Sequence, residues 1–403
     1  MLNAVGIDVS KGKSTVAVLQ PGGVVVRKPF NVVHSISGLK ELKDYILSLE
    51  GETRAVMECT GRYHEPVLLA LSEAGIFVSA INPHLIKNFG NNSIRKVKSD
   101  PADAKKIAKY ALSNWEDIHP YTSLDDTRSL LKQMNSQRDF YVKQKVTAKV
   151  SLISLLDMTF PGINEIFSGS VRPDGSEKWI DFVSSFWHVD CVRKIGLKAF
   201  TERYQAFCKR NDYLFSKRKS REIFEASKEL VATVPKEKGY KDLIERSVEH
   251  VRTVCGITAR IQSEMLELAS TLPEFPIVMS MNGVGNVLGP QLMAEIGDIT
   301  RFTHREAITA FAGVDPGVDG SGKRNRLSNP ASKCGSARLR KALFQVMSVL
   351  IQKEPDDPVY HFLDKKRSEG KPYNVYMTAS ANKFLRIYYG KVKAYLAARE
   401  MNG

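Results

Sequence analysis

An α/β layer followed by a mainly helical remainder is the fold class this sequence predicts, and three observations carry the prediction. Strand and helix signals alternate in the order βββαβαβ between residues 4 and 81. Strand patterning then stops, and two long stretches with apolar residues at helical spacing flank a segment rich in aromatics. From about Pro276 onward the chain reads as helices separated by glycine-rich breaks, with no internal repeat.

The first layer builds up strand by strand. Ala4–Val9 is a short apolar run, Ser14–Leu19 follows the turn Lys11-Gly12-Lys13, and Val24–Arg27 follows Pro21-Gly22-Gly23, so the first three strands form a meander. Leu39, Leu42, Tyr45, Ile46 and Leu49 recur at helical spacing. An apolar run Ala55–Met57, a helix around Pro66–Ala74 and a strand Phe77–Ile81 complete the layer, whose central strand ends can carry a site.

Asp125–Leu156 and Tyr240–Leu268 keep helical spacing over their whole lengths, with Leu131, Val142, Val146 and Ile153 in the first and Ile244, Val248, Val251 and Ile261 in the second. They predict two arms of a helical hairpin or a coiled-coil dimer contact. Between them, Pro161–Pro235 holds a Gly/Pro-rich break and then Trp179, Phe182, Phe186 and Trp187. This is read as an inserted helical subdomain whose aromatics form a core in preference to a base-stacking surface. The expected domains are residues 1–118, helical arms at 119–160 and 236–272, the insertion at 161–235, and a C-terminal domain at 273–403.

Composition narrows the function. With 403 residues, 43% hydrophobic and 26% charged, the chain can bury several cores and is not a disordered polymer. Lys and Arg number 59 against 44 Asp and Glu, and the net charge of +15 points to a polyanionic partner, nucleic acid first. The most apolar stretch, Phe275–Gly297, is interrupted by Asn282, Pro290 and Glu295, so no membrane span is expected. The first eight residues reach Asp8 without a basic segment and do not read as a signal peptide, so a cytoplasmic protein is expected. Five cysteines without a CxxC pair predict neither a disulfide framework nor a zinc site.

Four carboxylates stand where the layer makes them significant. Asp8 interrupts the apolar first strand, where a carboxylate needs a partner. Glu58 ends the run Ala55-Val56-Met57 and emerges at a strand end. Asp100 and Asp103, three apart at a helix start, share one side of it. Carboxylates converging from separate elements repel unless a divalent cation neutralises them, and oxygen-only ligands select Mg²⁺ or Mn²⁺. Plainer readings stand beside this one: Asp100 as N-cap with Pro101 at N1 and Asp103 at N3, and Glu58 paired with an arginine.

A second group lies between Ala312 and Lys353. Ser321 sits between Gly320 and Gly322 in a turn-rich loop, and Lys323, Arg324, Arg326, Lys333, Arg338, Arg340 and Lys341 follow with no acidic residue before Glu354. That is a phosphate-binding surface with an approachable serine, or a solvated basic face beside a loop serine. Met281-Asn282-Gly283-Val284-Gly285-Asn286-Val287 is either a backbone phosphate contact at a helix start or a tight interhelical turn.

Together these motifs resemble one family. Gly6-Ile7-Asp8-Val9-Ser10-Lys11, Glu58-Cys59-Thr60-Gly61, Ile81-Asn82-Pro83 and Lys98-Ser99-Asp100-Pro101-Ala102-Asp103-Ala104 are similar to the DEDD transposases of the insertion-sequence one-ten (IS110) family, relatives of the pilin-gene invertases. Gly283-Val284-Gly285, Gly297-Asp298-Ile299, Phe311-Ala312-Gly313, Ser321-Gly322, Ser332-Lys333 and Leu339-Arg340 follow the same family's order. The resemblance covers roughly residues 1–155 and 240–403.

It implies a Holliday-junction-resolvase-like (RuvC-like), RNase H-type domain with Asp8, Glu58, Asp100 and Asp103 as Mg²⁺ ligands, and a separate domain whose Ser321 attacks DNA. It also implies donor and target DNA as substrates, a structured bridge RNA as guide, a homodimer or higher oligomer whose active site combines two protomers, and a prokaryotic, nucleoid-associated location. Basic residues Lys323, Arg324, Arg326, Lys333, Arg338 and Arg340 are expected to position DNA. Two rivals remain. A metal-only nuclease or junction resolvase would use the carboxylates with water as nucleophile, and a non-catalytic nucleic-acid binder would use only the basic charge.

Overall fold

The computed structural model describes residues 1–59, 61–89, 99–121, 125–167, 169, 171–315, 320–321, 324–325 and 331–401. The chain divides into two compact units, residues 1–123 and 124–403.

In the first unit, β1 (Leu2–Ser10), β2 (Lys13–Gln20) and β3 (Val24–Val33) form the expected antiparallel meander. Helix α1 (Ile36–Leu47) carries the chain back so that β4 (Glu52–Glu58) pairs parallel with β1. Helix α2 (Glu65–Glu73) does the same for β5 (Phe77–Ile81), giving the five-stranded order β3-β2-β1-β4-β5. α3 (Pro83–Asn88) and α4 (Asp100–Ser113) complete the unit. β3 runs six residues beyond the expected Arg27; it is a largely exposed edge strand, and Pro29 falls at the irregularity between the Arg27–Val18 and Phe30–Val16 pairs, where an edge strand tolerates proline.

Side chains alternate across this sheet and separate two cores. Val5, Ile7 and Met57 face α1 and α2, whereas Ala4 and Val56 face Ile107, Ala108 and Ala111 of α4. Gly6 lies on the α4 face, and α4 crosses so close that a Cβ there would stand 2.2 Å from the Ala104 carbonyl and 2.4 Å from the Ala108 nitrogen.

In the second unit, α5 (Asp126–Thr159) and α11 (Lys238–Ser270) pack side by side as a hairpin within one chain. The hairpin is antiparallel: Leu131 shares a core with Met265 and Ala269, whereas Leu152 and Leu156 share another with Ile244 and Val248. Between the arms, α6 (Ile163–Ile166), α7 (Lys178–Ser185), α8 (Asp190–Arg193), α9 (Leu197–Arg210) and α10 (Lys217–Glu229) close over the second core. Trp179, Phe182, Phe186 and Trp187 are buried in it, with the Phe182 and Phe186 rings stacked at 4.7 Å. They are core residues and not a stacking platform.

At the other end of the hairpin lie α12 (Phe275–Met279), α13 (Leu288–Ile296) and α14 (Arg305–Ala312). A two-residue hairpin, β6 (Gly320–Ser321) with β7 (Arg324–Asn325), comes next, followed by α15 (Ala337–Lys353), α16 (Pro358–Ser368) and α17 (Tyr373–Met401). α13 is buried along its whole length. The 281–287 segment is the interhelical turn of the two readings: Gly283, at φ 79°, packs so closely on Val346 and Leu350 that a Cβ would meet them at 3.0 and 3.1 Å. Among the described residues, no helix is long and apolar enough to cross a membrane.

Candidate active site

The first candidate site lies at the carboxyl ends of β1 and β4. Asp8 follows Gly6 by two residues and Glu58 follows Val56 by two, so both side chains leave the sheet on the face that α4 covers. The close approach at Gly6 lays α4 on this face with its first turn, Asp100 and Asp103, beside them. Burial and the charges of Asp103, Asp100 and Glu58 push the Asp8 carboxyl up to about 6 from an ordinary 3.8. Burial and Asp103 also raise Glu58, and the opposing cation is Lys106 of α4. The four carboxylates from three elements therefore share one field.

Two plainer readings are corrected here. Ser99, not Asp100, is the N-cap of α4, so the two aspartates lie inside its first turn and neither caps it. For Glu58, the cation whose charge is felt is Lys106 of α4, and no ion pair with an arginine is seen among the described residues. The donor set is all oxygen, which suits Mg²⁺ or Mn²⁺. Among the described residues, which include all four carboxylates, no three or more His, Cys, Asp or Glu side chains stand close enough together to hold a metal ion, so what links Asp8, Glu58, Asp100 and Asp103 here is their mutual charge.

The second candidate site is framed by two chain segments. Lys333 N–H donates to the Gly313 carbonyl at 3.2 Å, Ser336 N–H to Phe311 at 2.8 Å, and Ser332 N–H to Asp315 at 3.0 Å. Gly335 makes this fit possible, because a Cβ there would lie 2.0 Å from the Phe311 carbonyl. Between the segments, Ser321 pairs with Arg324 and Gly320 with Asn325 along the backbone. Lys323 and Arg326 lie outside the described residues. The Ser332 hydroxyl donates to Asp315 Oδ1 at 2.7 Å.

The expected phosphate contacts divide by what they touch. Arg340 Nη1 donates to the Ala312 and Gly335 carbonyls at 2.9 and 3.1 Å, so this guanidinium helps hold the frame. Arg338 is exposed and reaches Ser136 Oγ at 3.1 Å, Lys341 Nζ reaches Asp139 Oδ1 at 2.9 Å, and Lys143 Nζ reaches Asp139 Oδ2 at 3.2 Å. Burial alone would raise Asp139, but Lys341 and Lys143 hold it below the ordinary carboxylate range. Lys333 is exposed, at φ 52°.

Sequence reasoning did not single out Glu295, whose Oε2 accepts from Ser336 Oγ at the end of the second frame segment. It is 5% exposed on α13, and the signal was present, since a carboxylate in an apolar stretch is the same anomaly that marks Asp8.

Comparison with known proteins gives the family of the chain. A family model described as a transposase, DEDD_Tnp_IS110, matches residues 5–161, and a second, described as transposase of the IS116/IS110/IS902 family, matches residues 276–361. Together they span more than half of the sequence. The chain belongs to the IS110 family of transposases. It is thus an enzyme of DNA transposition, with the four carboxylates inside the first matched segment and Ser321 inside the second.

Its relatives include an insertion element IS110 protein of 43.6 kDa from Streptomyces coelicolor, 21% identical over 96% of this chain and 93% of the relative. The mini-circle putative transposase for IS117 from the same organism is 23% identical over 94% and 91%, and an IS900 protein of 42 kDa from Mycobacterium paratuberculosis is 22% identical over 73% and 71%. A solved structure of Thermus thermophilus RuvC in complex with a Holliday junction substrate overlaps 30% of this transposase and 100% of that chain, at 16% identity and a TM-score of 0.23.

Proposed function

We propose that this IS110-family transposase cuts and rejoins DNA through a covalent phosphoserine, with Ser321 as nucleophile and Asp8, Glu58, Asp100 and Asp103 as a divalent-cation site. The observation that carries the reading is the shared field at Asp8, a half-buried carboxyl held up to about 6 by burial and three other carboxylates. Such a group is destabilising in itself and gains from a cation. Neutralisation of scissile-phosphate charge is what Mg²⁺ held there supplies.

The chain's own residues do the rest. Ser321 Oγ attacks phosphorus, a serine–phosphate ester replaces a sugar–phosphate ester, and the serine proton leaves with the departing sugar oxygen. Bond energy is kept for rejoining to a new strand. Ser321 is preferred to Ser332 by the family resemblance, in which the Ser321-Gly322 pair follows Phe311-Ala312-Gly313. Arg338, Lys341 and Lys143 form a basic face suited to phosphodiester contact.

Guidance by a structured RNA rests on the family resemblance alone. Dimerisation through the arms is supported by the exposed Phe140, Val146 and Val150 on α5. A denaturing gel of protein, guide RNA and DNA tests the chemistry. A DNA-linked protein band is expected for the wild type, and none for Ser321→Ala or Asp8→Asn. Cut DNA without a protein link, undiminished in Ser321→Ala, would replace this reading with the water-using nuclease.

A further inference from the structure

Glu295 is a buried carboxylate without a cationic partner among the described residues, and it sits at the root of the Ser321 frame. Its Oε1 accepts from Asn135 Nδ2 at 2.8 Å and its Oε2 from Ser336 Oγ at 2.9 Å. Asn135 is 4% exposed on α5, so the carboxylate joins three elements: the long arm, α13 and the start of α15. Ser336 is the N-cap of α15, its Oγ accepting from Leu339 N–H at 3.1 Å, so Glu295 also faces the positive end of a 17-residue helix. The same Ser336 donates its backbone N–H to Phe311, and Arg340, one turn along α15, holds Ala312 and Gly335.

We propose that Glu295 is a positioning residue for Ser321. The proposal rests on the phosphoserine reading. The segments 311–315 and 331–336 fix where the Ser321 loop leaves and returns, and the hydrogen bonds that clamp them are anchored through Ser336 to Glu295 and through Glu295 to α5. Glu295 touches no reacting atom; it sets the register of the frame. An apolar residue in α13 would pack as well and would leave Asn135 and Ser336 without an acceptor, so packing alone does not account for a carboxylate.

The buried pair in the same core supplies the control. Glu274, 3% exposed, binds Arg128 Nη2 through both oxygens at 2.7 Å and touches neither frame segment. The experiment measures the rate of Ser321–DNA adduct formation at saturating DNA, the DNA affinity, and amide exchange at Lys333 and Ser336 in the full chain. Glu295→Ala is expected to slow the adduct by roughly a hundredfold, the cost of an ångström-scale misplacement, with affinity within about twofold and with faster exchange at both amides. Glu295→Gln can accept from Asn135 and donate to Ser336, and is expected to restore the rate. Glu274→Gln is expected to lower the melting temperature without slowing the adduct.

If Glu295→Ala does not fold, Asn135→Leu and Ser336→Ala, each removing one partner, carry the same expectation. A normal adduct rate in these variants, or an equal loss in Glu274→Gln, overturns the proposal. An adduct that persists in Ser321→Ala overturns the phosphoserine reading instead, and the exchange rates then still decide whether Glu295 holds the frame.

Discussion

The carboxyl ends of β1 and β4 and the base of α13 each place a carboxylate where hydrophobic side chains surround it, and they treat it in opposite ways. Glu295 has both oxygens occupied by uncharged donors, and Glu274 has both on one guanidinium. Asp8 is surrounded by Asp103, Asp100 and Glu58, and its carboxyl is held up to about 6. A satisfied buried carboxylate stabilises the arrangement of the elements that supply its donors. One pressed among like charges weakens the fold at neutral pH, and its presence is explained by a ligand that comes from outside.

Perturbing the satisfied side of this contrast should have the largest effect. Arg128→Ala leaves Glu274 buried without its cation, and chemical denaturation should show the second unit losing about 3–5 kcal/mol. Equal stability of Arg128→Ala and wild type would mean that Glu274 is not held as described. Gly6→Ala tests the geometry on the other side. A Cβ there overlaps Ala104 and Ala108 of α4, so a loss of about 1–3 kcal/mol is expected. Displacement of the first turn of α4 should also slow DNA cleavage in the folded fraction. Full cleavage activity in Gly6→Ala would separate the position of α4 from function.

A smaller effect has the opposite sign. Because the Asp8 carboxyl titrates near 6 in the folded chain and near 3.8 when unfolded, the folded state binds more protons between these values. Stability from this group is therefore fully present below pH 3.8 and is lost as pH rises through about 6. In EDTA, Asp8→Asn should match the wild type near pH 4 and melt higher than it at pH 7, and Mg²⁺ should narrow the difference. A variant that melts lower than wild type at pH 7 would show that Asp8 is a structural partner after all.

Much of this was legible in the sequence because it rests on local pattern. The βββαβαβ order follows from short apolar runs and glycine turns, and the α5–α11 arms from unbroken helical spacing. Asp8 stood out because a charge in an apolar strand violates that pattern. The frame at Ser321 was not legible, because its meaning comes from contacts between distant segments: Asn135 reaches Glu295 across 160 positions of sequence. For the same reason the sequence did not show that Arg340 Nη1 is held by carbonyls five and 28 residues away. The one-residue shift at α4, with Ser99 as cap, arose because Ser and Asp are both favoured N-caps and sequence alone does not choose between neighbours.

The most direct test of a single carboxylate cluster is the titration of the Asp8 side chain, followed by carbon NMR in metal-free protein labelled at aspartate carboxyls. The wild type should titrate near 6, and Asp103→Asn, which removes the strongest of the neighbouring charges on Asp8, should bring it down while leaving the part due to burial. An Asp8 that titrates in the ordinary carboxylate range, or one unmoved by Asp103→Asn, would contradict the shared field on which the proposed function stands.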